Sequence, residues 1–167
     1  MIVDRRRFLV RGVTLLAGVA LPAAWAEPRD VRSGVDVCPF CNMPVIDGRF
    51  AAQAVTEGGR VLTYDAIECL LDHEAGYGPP PPVLVERWLA DRAASGREDV
   101  AWLAAEEEAT LLHHPRLRTP MGGGLAAFAS VEEALAFAEA NRLTDPLTLS
   151  WLEARALADE RAWVPPW

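Results

Sequence analysis

Small and β-branched residues fill positions 45–56, the Glu57-Gly58-Gly59-Arg60 turn signal follows, and Val61-Leu62-Thr63-Tyr64 reads as a short strand, so this stretch predicts a hairpin. Asp65 stands where a helix N-cap belongs and Glu68 lies three residues on. Ile67, Leu70 and Leu71 give the helix an apolar face that ends at Gly76. Pro79 to Pro82 cannot continue a helix and lead, extended, into a strand over residues 83–89. The second half repeats this order loosely. Residues 100–103 suit a strand, residues 118–124 a turn and residues 125–128 another strand. Ser130 and Glu133 head a helix with Val131, Ala134, Leu135 and Ala138 on one side. Residues 147–149 read as a closing strand and residues 151–162 as a last amphipathic helix. The pattern therefore predicts an α+β protein of two small β-β-α-β-type units, about 38–90 and 100–151, packed as one body. A polar linker over residues 27–37 precedes them, and a C-terminal helix and tail over 152–167 follow. Trp163 and Trp167 in that tail are expected to cover the body's own apolar surface.

The start of the chain is of a different kind. Arg5, Arg6 and Arg7 precede Phe8-Leu9, an apolar run extends from Gly12 to Leu21, and Ala24-Trp25-Ala26 offers a small-residue cleavage pattern. These are the parts of an export signal over residues 1–26, of twin-arginine type, and the apolar run is shorter than the ~20 residues of a membrane-spanning helix. The other reading is an uncleaved N-terminal anchor, the sole expected link to a membrane. The expected location is the periplasm.

Composition sharpens this division. Among 167 residues, 51% are hydrophobic, enough for a packed core, and the formal charge is −8. The export signal holds four arginines and one aspartate, a net +3, so its removal leaves a domain of −11. Such a domain has no basic surplus for phosphates, which excludes a general nucleic-acid binder. Three cysteines are too few for a disulfide scaffold and leave at least one thiol free, metal-bound or paired elsewhere.

The candidate chemistry lies in sulfur. Cys38-Pro39-Phe40-Cys41-Asn42-Met43 places two thiols on a tight turn with a thioether two positions later, and this soft set favours Cu(I). Met121 stands in Thr119-Pro120-Met121-Gly122-Gly123-Gly124. Three glycines allow close backbone approach there and pack nothing, which suits a ligand on a loop better than a core filler. The expected metal ligands are Cys38, Cys41, Met43 and Met121, with no catalytic residue.

Alternatives remain open at this point. Cys69 and His73 share a helix face at i, i+4 and spell, with the Cys pair, a tetrahedral zinc pattern; against that, Cys69 reads as a small buried apolar residue and His73 as a surface residue. A thiol oxidoreductase wants a helix after its Cys-x-x-Cys, whereas Pro44, Val45 and Ile46 suit a strand; a structural disulfide between Cys38 and Cys41 is a further use of the pair. His113 or His114 can complete a copper set or lie solvated at a strand end. The run Glu106 to Glu108 reads as a solvated face.

Taken in order, Cys-Pro-Phe-Cys-Asn-Met-Pro-Val, Ala51-Ala52-Gln53, Tyr64-Asp65-Ala66-Ile67-Glu68-Cys69-Leu70 and the motif from Thr119 to Phe128 resemble the NosL family, copper-binding accessory proteins for nitrous oxide reductase assembly. The resemblance implies a periplasmic, non-enzymatic metallochaperone for Cu(I). Its implied partners are nitrous oxide reductase and the membrane-associated proteins that assemble it. Members of the family are often lipoproteins. Here Val35-Asp36-Val37 precedes Cys38 in place of a small-residue lipid-attachment pattern, so the sequence departs from the family at that point.

Overall fold

Two antiparallel sheets order the chain in the computed structural model, which describes residues 27–160. The export signal, Trp163 and Trp167 lie outside the described residues. In the first sheet β1 (Ala52–Thr56) is central. It pairs with β2 (Val61–Tyr64) through the expected turn and with β3 (Leu84–Ala90), which arrives after helix α1 (Ile67–Glu74). Strand β4 (Trp102–Ala104) extends this sheet by pairing with β3. The second sheet repeats the arrangement: β5 (Thr110–His113) is central between β6 (Leu125–Phe128) and β7 (Leu147–Leu149), and α2 (Val131–Ala140) makes the crossover. The sheet orders are thus β2-β1-β3-β4 and β6-β5-β7, an α+β body of two β-β-α-β units. The last helix, α3 (Trp151–Asp159), begins with Ser150 and Glu153 in a reciprocal capping box.

The opening strand of the second unit differs from the expected one. Residues 102–104 join the first sheet, and the unit opens instead on Thr110-Leu111-Leu112-His113. Leu111 and Leu112 face opposite ways, and both are buried. Leu111, Leu125 and Ala127 join a core with α1 and α3, while Leu112, Ala126 and Phe128 meet Ala134 and Ala138 of α2. A sheet covered on both faces loses the polar alternation by which a strand is recognised. Val131 and Leu135, expected on the buried side of α2, are exposed, because alanines at 134 and 138 make the close contact.

In the first sheet Ala52, Ala54, Leu62, Tyr64 and Leu89 pack on α1. The other face is closed by residues 29–37, the stretch expected as a linker. Gln53, fully buried, accepts from the Arg29 amide (2.8 Å) and donates to the Arg29 carbonyl (2.8 Å). Val31, Val45 and Ala51 form a small apolar cluster beside Val100 and Trp102. Asp36, also buried, accepts from the guanidinium groups of Arg29 (2.8 Å) and Arg32 (2.7 Å) and from the Arg32 amide. Burial alone would lift its pKa, but these bonds bring it down to about 2.

The cap of α1 also differs from expectation. Ala66 occupies the N-cap without a side-chain bond, since the Asp65 carboxylate accepts from the Ile46 amide and Glu68 reaches across to Thr119. Tertiary partners thus replace the local capping box. Among the described residues no helix is long and apolar enough to cross a membrane.

Two expectations follow from this packing. The Asp36 carboxylate is depressed relative to its unfolded value of about 3.9, so its contribution is complete above about pH 4 and is lost as pH falls through about 2. Asp36→Ala lowers stability at pH 7 by about 1–3 kcal/mol and flattens the acid limb of the stability curve, as measured by urea melts across pH. Gly124 has φ +73°, and a Cβ there would stand 2.3 Å from the His114 carbonyl oxygen, a backbone atom that cannot turn aside. Gly124→Ala is therefore expected to cost at least about 2 kcal/mol in the same melts, and an unchanged midpoint would contradict this close approach.

Candidate metal centre

Residues 34–45 fold back on themselves into a narrow finger. Gly34 donates to the Val45 carbonyl (2.8 Å), Val45 donates to the Asp36 carbonyl (2.8 Å), and Val37 bridges Pro44. At the tip the Cys38 amide donates to the Met43 carbonyl (2.9 Å) and the Asn42 amide to the Cys38 carbonyl (2.9 Å). Asn42 takes φ +59°, which asparagine tolerates better than most residues. This turn sets Cys38 and Cys41 on one side of the finger, against the start of α1. The pair is followed by the return arm of the finger and not by an α-helix, whereas a disulfide oxidoreductase carries its reactive thiol at a helix start.

Cys69 completes the group. It lies in the first turn of α1, and its Sγ and those of Cys38 and Cys41 all lie within 4.8 Å of one another. All three are free thiols. Cys38 and Cys69 are buried, and Cys41 is half-buried and so the accessible one. The expected reading of Cys69 as a buried residue matches its burial, and its sulfur also turns toward the Cys pair, as the zinc alternative required of it.

The three thiols differ in acidity. A hydrogen bond from the Cys69 thiol brings Cys38 down to about 5; burial opposes this, and the amides of Cys41, Asp65 and Phe40 aimed at the sulfur assist it. Burial and the neighbouring Cys38 charge raise Cys41 to about 11. The Cys69 thiol is pushed well above its ordinary range by its bond to Cys38 and by burial. At neutral pH the group is one thiolate held by a thiol donor and backbone amides. A metal taken by all three sulfurs must displace two further protons. Close by, burial and the Cys38 charge raise Asp65 to about 6.

The two methionines stand differently. Met121 is half-buried and packs on the core that holds Cys38 and Cys69, with Phe40 and Cys41 against the same core. Its loop is fastened to α1: the Thr119 hydroxyl donates to Glu68 Oε1, and the Gly124 amide donates to Thr119 Oγ1 (3.2 Å). Gly123 lets the loop lie flat there, since a Cβ would come 2.3 Å from Glu68 Cγ. Glu68 precedes Cys69, so the methionine loop rests on the turn of helix that carries the third thiol. Met43 is exposed at the end of the finger, and its amide points to the Cys41 sulfur.

No histidine joins the three sulfurs among the described residues. His73, expected at the surface, is buried; its Nδ1 shares a hydrogen bond with the Tyr64 hydroxyl (3.1 Å), and its ring lies 6.0 Å from that of Phe40. The i, i+4 spacing puts Cys69 and His73 on one face, but His73 sits a full turn farther along α1, where its ring packs beside Phe40 of the finger and does not join the three sulfurs. His113 and His114 are not a solvated pair. His113 is half-buried on β5 and bonded to the Gly123 backbone, while His114 is buried with one ring nitrogen on the Thr144 carbonyl (2.9 Å) and the other accepting from the Arg116 amide (3.0 Å). The acidic run forms the turn from β4 to β5, where Glu106 pairs with Arg87 and Glu108 accepts from the Ala104 amide.

No protein-family model and no curated protein matches the chain. Among solved structures, the crystal structure of the copper chaperone NosL from Shewanella denitrificans superposes with a TM-score of 0.54 over 68% of this chain and 87% of that one, at 17% sequence identity. At that identity the likeness is one of architecture, and this chain has the fold of that chaperone.

Proposed function

We propose that this protein is an exported Cu(I) carrier. The observation that carries the reading is the convergence of Cys38, Cys41 and Cys69 within 4.8 Å at a largely buried point, with no His, Asp or Glu among the described residues completing a fourth position. Three sulfurs suit Cu(I), which accepts two to four soft ligands, whereas structural zinc sites are almost always four-coordinate. Met121 lies on the same core and Met43 on the same finger, so both remain donors in this reading, beside the Cys38 and Cys41 assigned from the motif. Copper is cargo here. An acceptor's sulfur or imidazole would bind the ion from the side of the half-buried Cys41, which would let go before the buried pair does.

Delivery to nitrous oxide reductase in the periplasm, through its membrane-associated assembly proteins, is supported by the ordered motifs that resemble the NosL family and by the shared fold. The twin-arginine-like start supports export.

Anaerobic titration of the reduced protein with Cu(I), against a chromophoric competing chelator, is expected to give one tightly held ion per chain. Cys69→Ser lowers the affinity at least tenfold, and Met121→Leu, which keeps the apolar bulk, lowers it severalfold. Equal affinity in Met121→Leu removes that thioether from the set. Protein purified without added metal that holds one zinc, and unfolds when a chelator removes it, would overturn the carrier reading in favour of a zinc-stapled module.

A further inference from the structure

Four of the twelve arginines that follow residue 26 line a single cleft of about 400 Å³ that contains none of the thiols. Arg49, Arg92, Arg116 and Arg118 share its walls with the rings of Phe50 and Phe137. In a domain of −11 this is a concentration of the opposite charge, and a concave low-dielectric wall focuses such a field.

The arginines are unequally engaged. Arg49 is held by Asp47, the one carboxylate on the wall, through bonds of 2.8 and 2.5 Å. Arg116 donates to the Arg142 carbonyl (2.5 Å). Arg92 is the exception. Its guanidinium carbon lies 5.4 Å from the Phe50 ring centre and 5.0 Å from that of Phe137, and it forms no ion pair among the described residues. Its Nε is buried and meets no acceptor. A fixed guanidinium with a buried unused donor is a costly arrangement unless an acceptor arrives from outside. Burial and the charge of Arg49 depress its pKa, and the Asp47 carboxylate, already paired with Arg49, only partly opposes them. Arg118, exposed at the mouth, forms no ion pair among the described residues either.

We propose that this cleft binds a small organic oxyanion, a phosphate monoester or carboxylate carried on an apolar body, with the oxygens on Arg92 and Arg118 and the body against Phe50 and Phe137. The planar fork of arginine matches paired oxygens, and the volume falls in the range of small-molecule sites. An inorganic ion would leave the aromatic wall unused, which is why the apolar body belongs to the proposal.

The test is calorimetric titration of the full reduced chain at low salt with phenyl phosphate and inorganic phosphate, and with phenylacetate and acetate. At least one aromatic anion is expected to bind tenfold or more tightly than its small counterpart, and which pair shows the difference identifies the headgroup. Arg92→Gln reduces that binding at least tenfold. Arg118→Gln, an exposed change that leaves packing intact, reduces it severalfold, and Arg155→Gln on the outer face of α3 leaves it unchanged. Absence of binding by both aromatic anions, equal binding of aromatic and small anions, or equal losses in all three variants overturns the proposal. Copper enters none of these measurements, so their outcome is independent of the carrier reading.

Discussion

Helix α1 is buried from Ile67 to His73, on every side, and the rest of the molecule is arranged around that constraint. An eight-residue helix is too short to be stable alone, so its geometry is owed to what encloses it. The first sheet lies on one side, β5, β6 and α3 on another, and the cysteine finger and methionine loop close its beginning. Burial on all sides brings polar residues inside with it, and two of them are held by partners outside the helix: Glu68 accepts from Thr119, and His73 shares a hydrogen bond with Tyr64. The same enclosure fixes Cys69, because a helix that cannot roll holds its first-turn sulfur at one place. The three-thiol centre is therefore a product of packing as much as of motif.

This explains what was legible in the sequence and what was not. The hairpin of β1 and β2, the helix after Tyr64, the proline-led strand β3 and, in the second unit, β6, α2 and β7 were readable because turn residues and short periodic runs agree there. Leu111 and Leu112 concealed a central strand, since the second sheet is covered on both faces and two adjacent leucines show no alternation. Residues 29–37 looked like a linker because their polar side chains dominate the pattern. Their function depends on a buried glutamine on β1 and on an Arg-Asp-Arg group, neither of which has any local signal.

Of the site, Cys38 and Cys41 were legible from spacing alone, because the tight turn that brings two thiols together is local. Cys69 was legible only as one arm of a zinc pattern with His73 and was left out of the expected ligands, since its partners lie some thirty residues earlier and a free cysteine in an apolar helix face looks like core. The glycines after Met121 were legible as a close approach, and the approach is real at Gly123 and Gly124, against Glu68 and His114. What they approach is a matter of topology: β5 and β6 aim their connection at α1 only because the second sheet packs there.

In the Cu(I)-carrier reading proposed above, the distribution of charge and sulfur divides two tasks that one kind of residue could not perform together. A surplus of carboxylates draws any cation, hard or soft, toward the domain, since long-range attraction depends on charge alone. Selection has to come from short range. There the thiols stand apart from the carboxylates that join no group with them, and Asp65, the acid whose titration senses Cys38, is itself pushed toward its neutral form. A soft monocation gains most from the sulfurs, while a hard divalent ion would surrender its water for poor ligands. On that reading the acidic charge and the three-sulfur centre act as successive filters, and the burial of α1 is what holds the third sulfur in place.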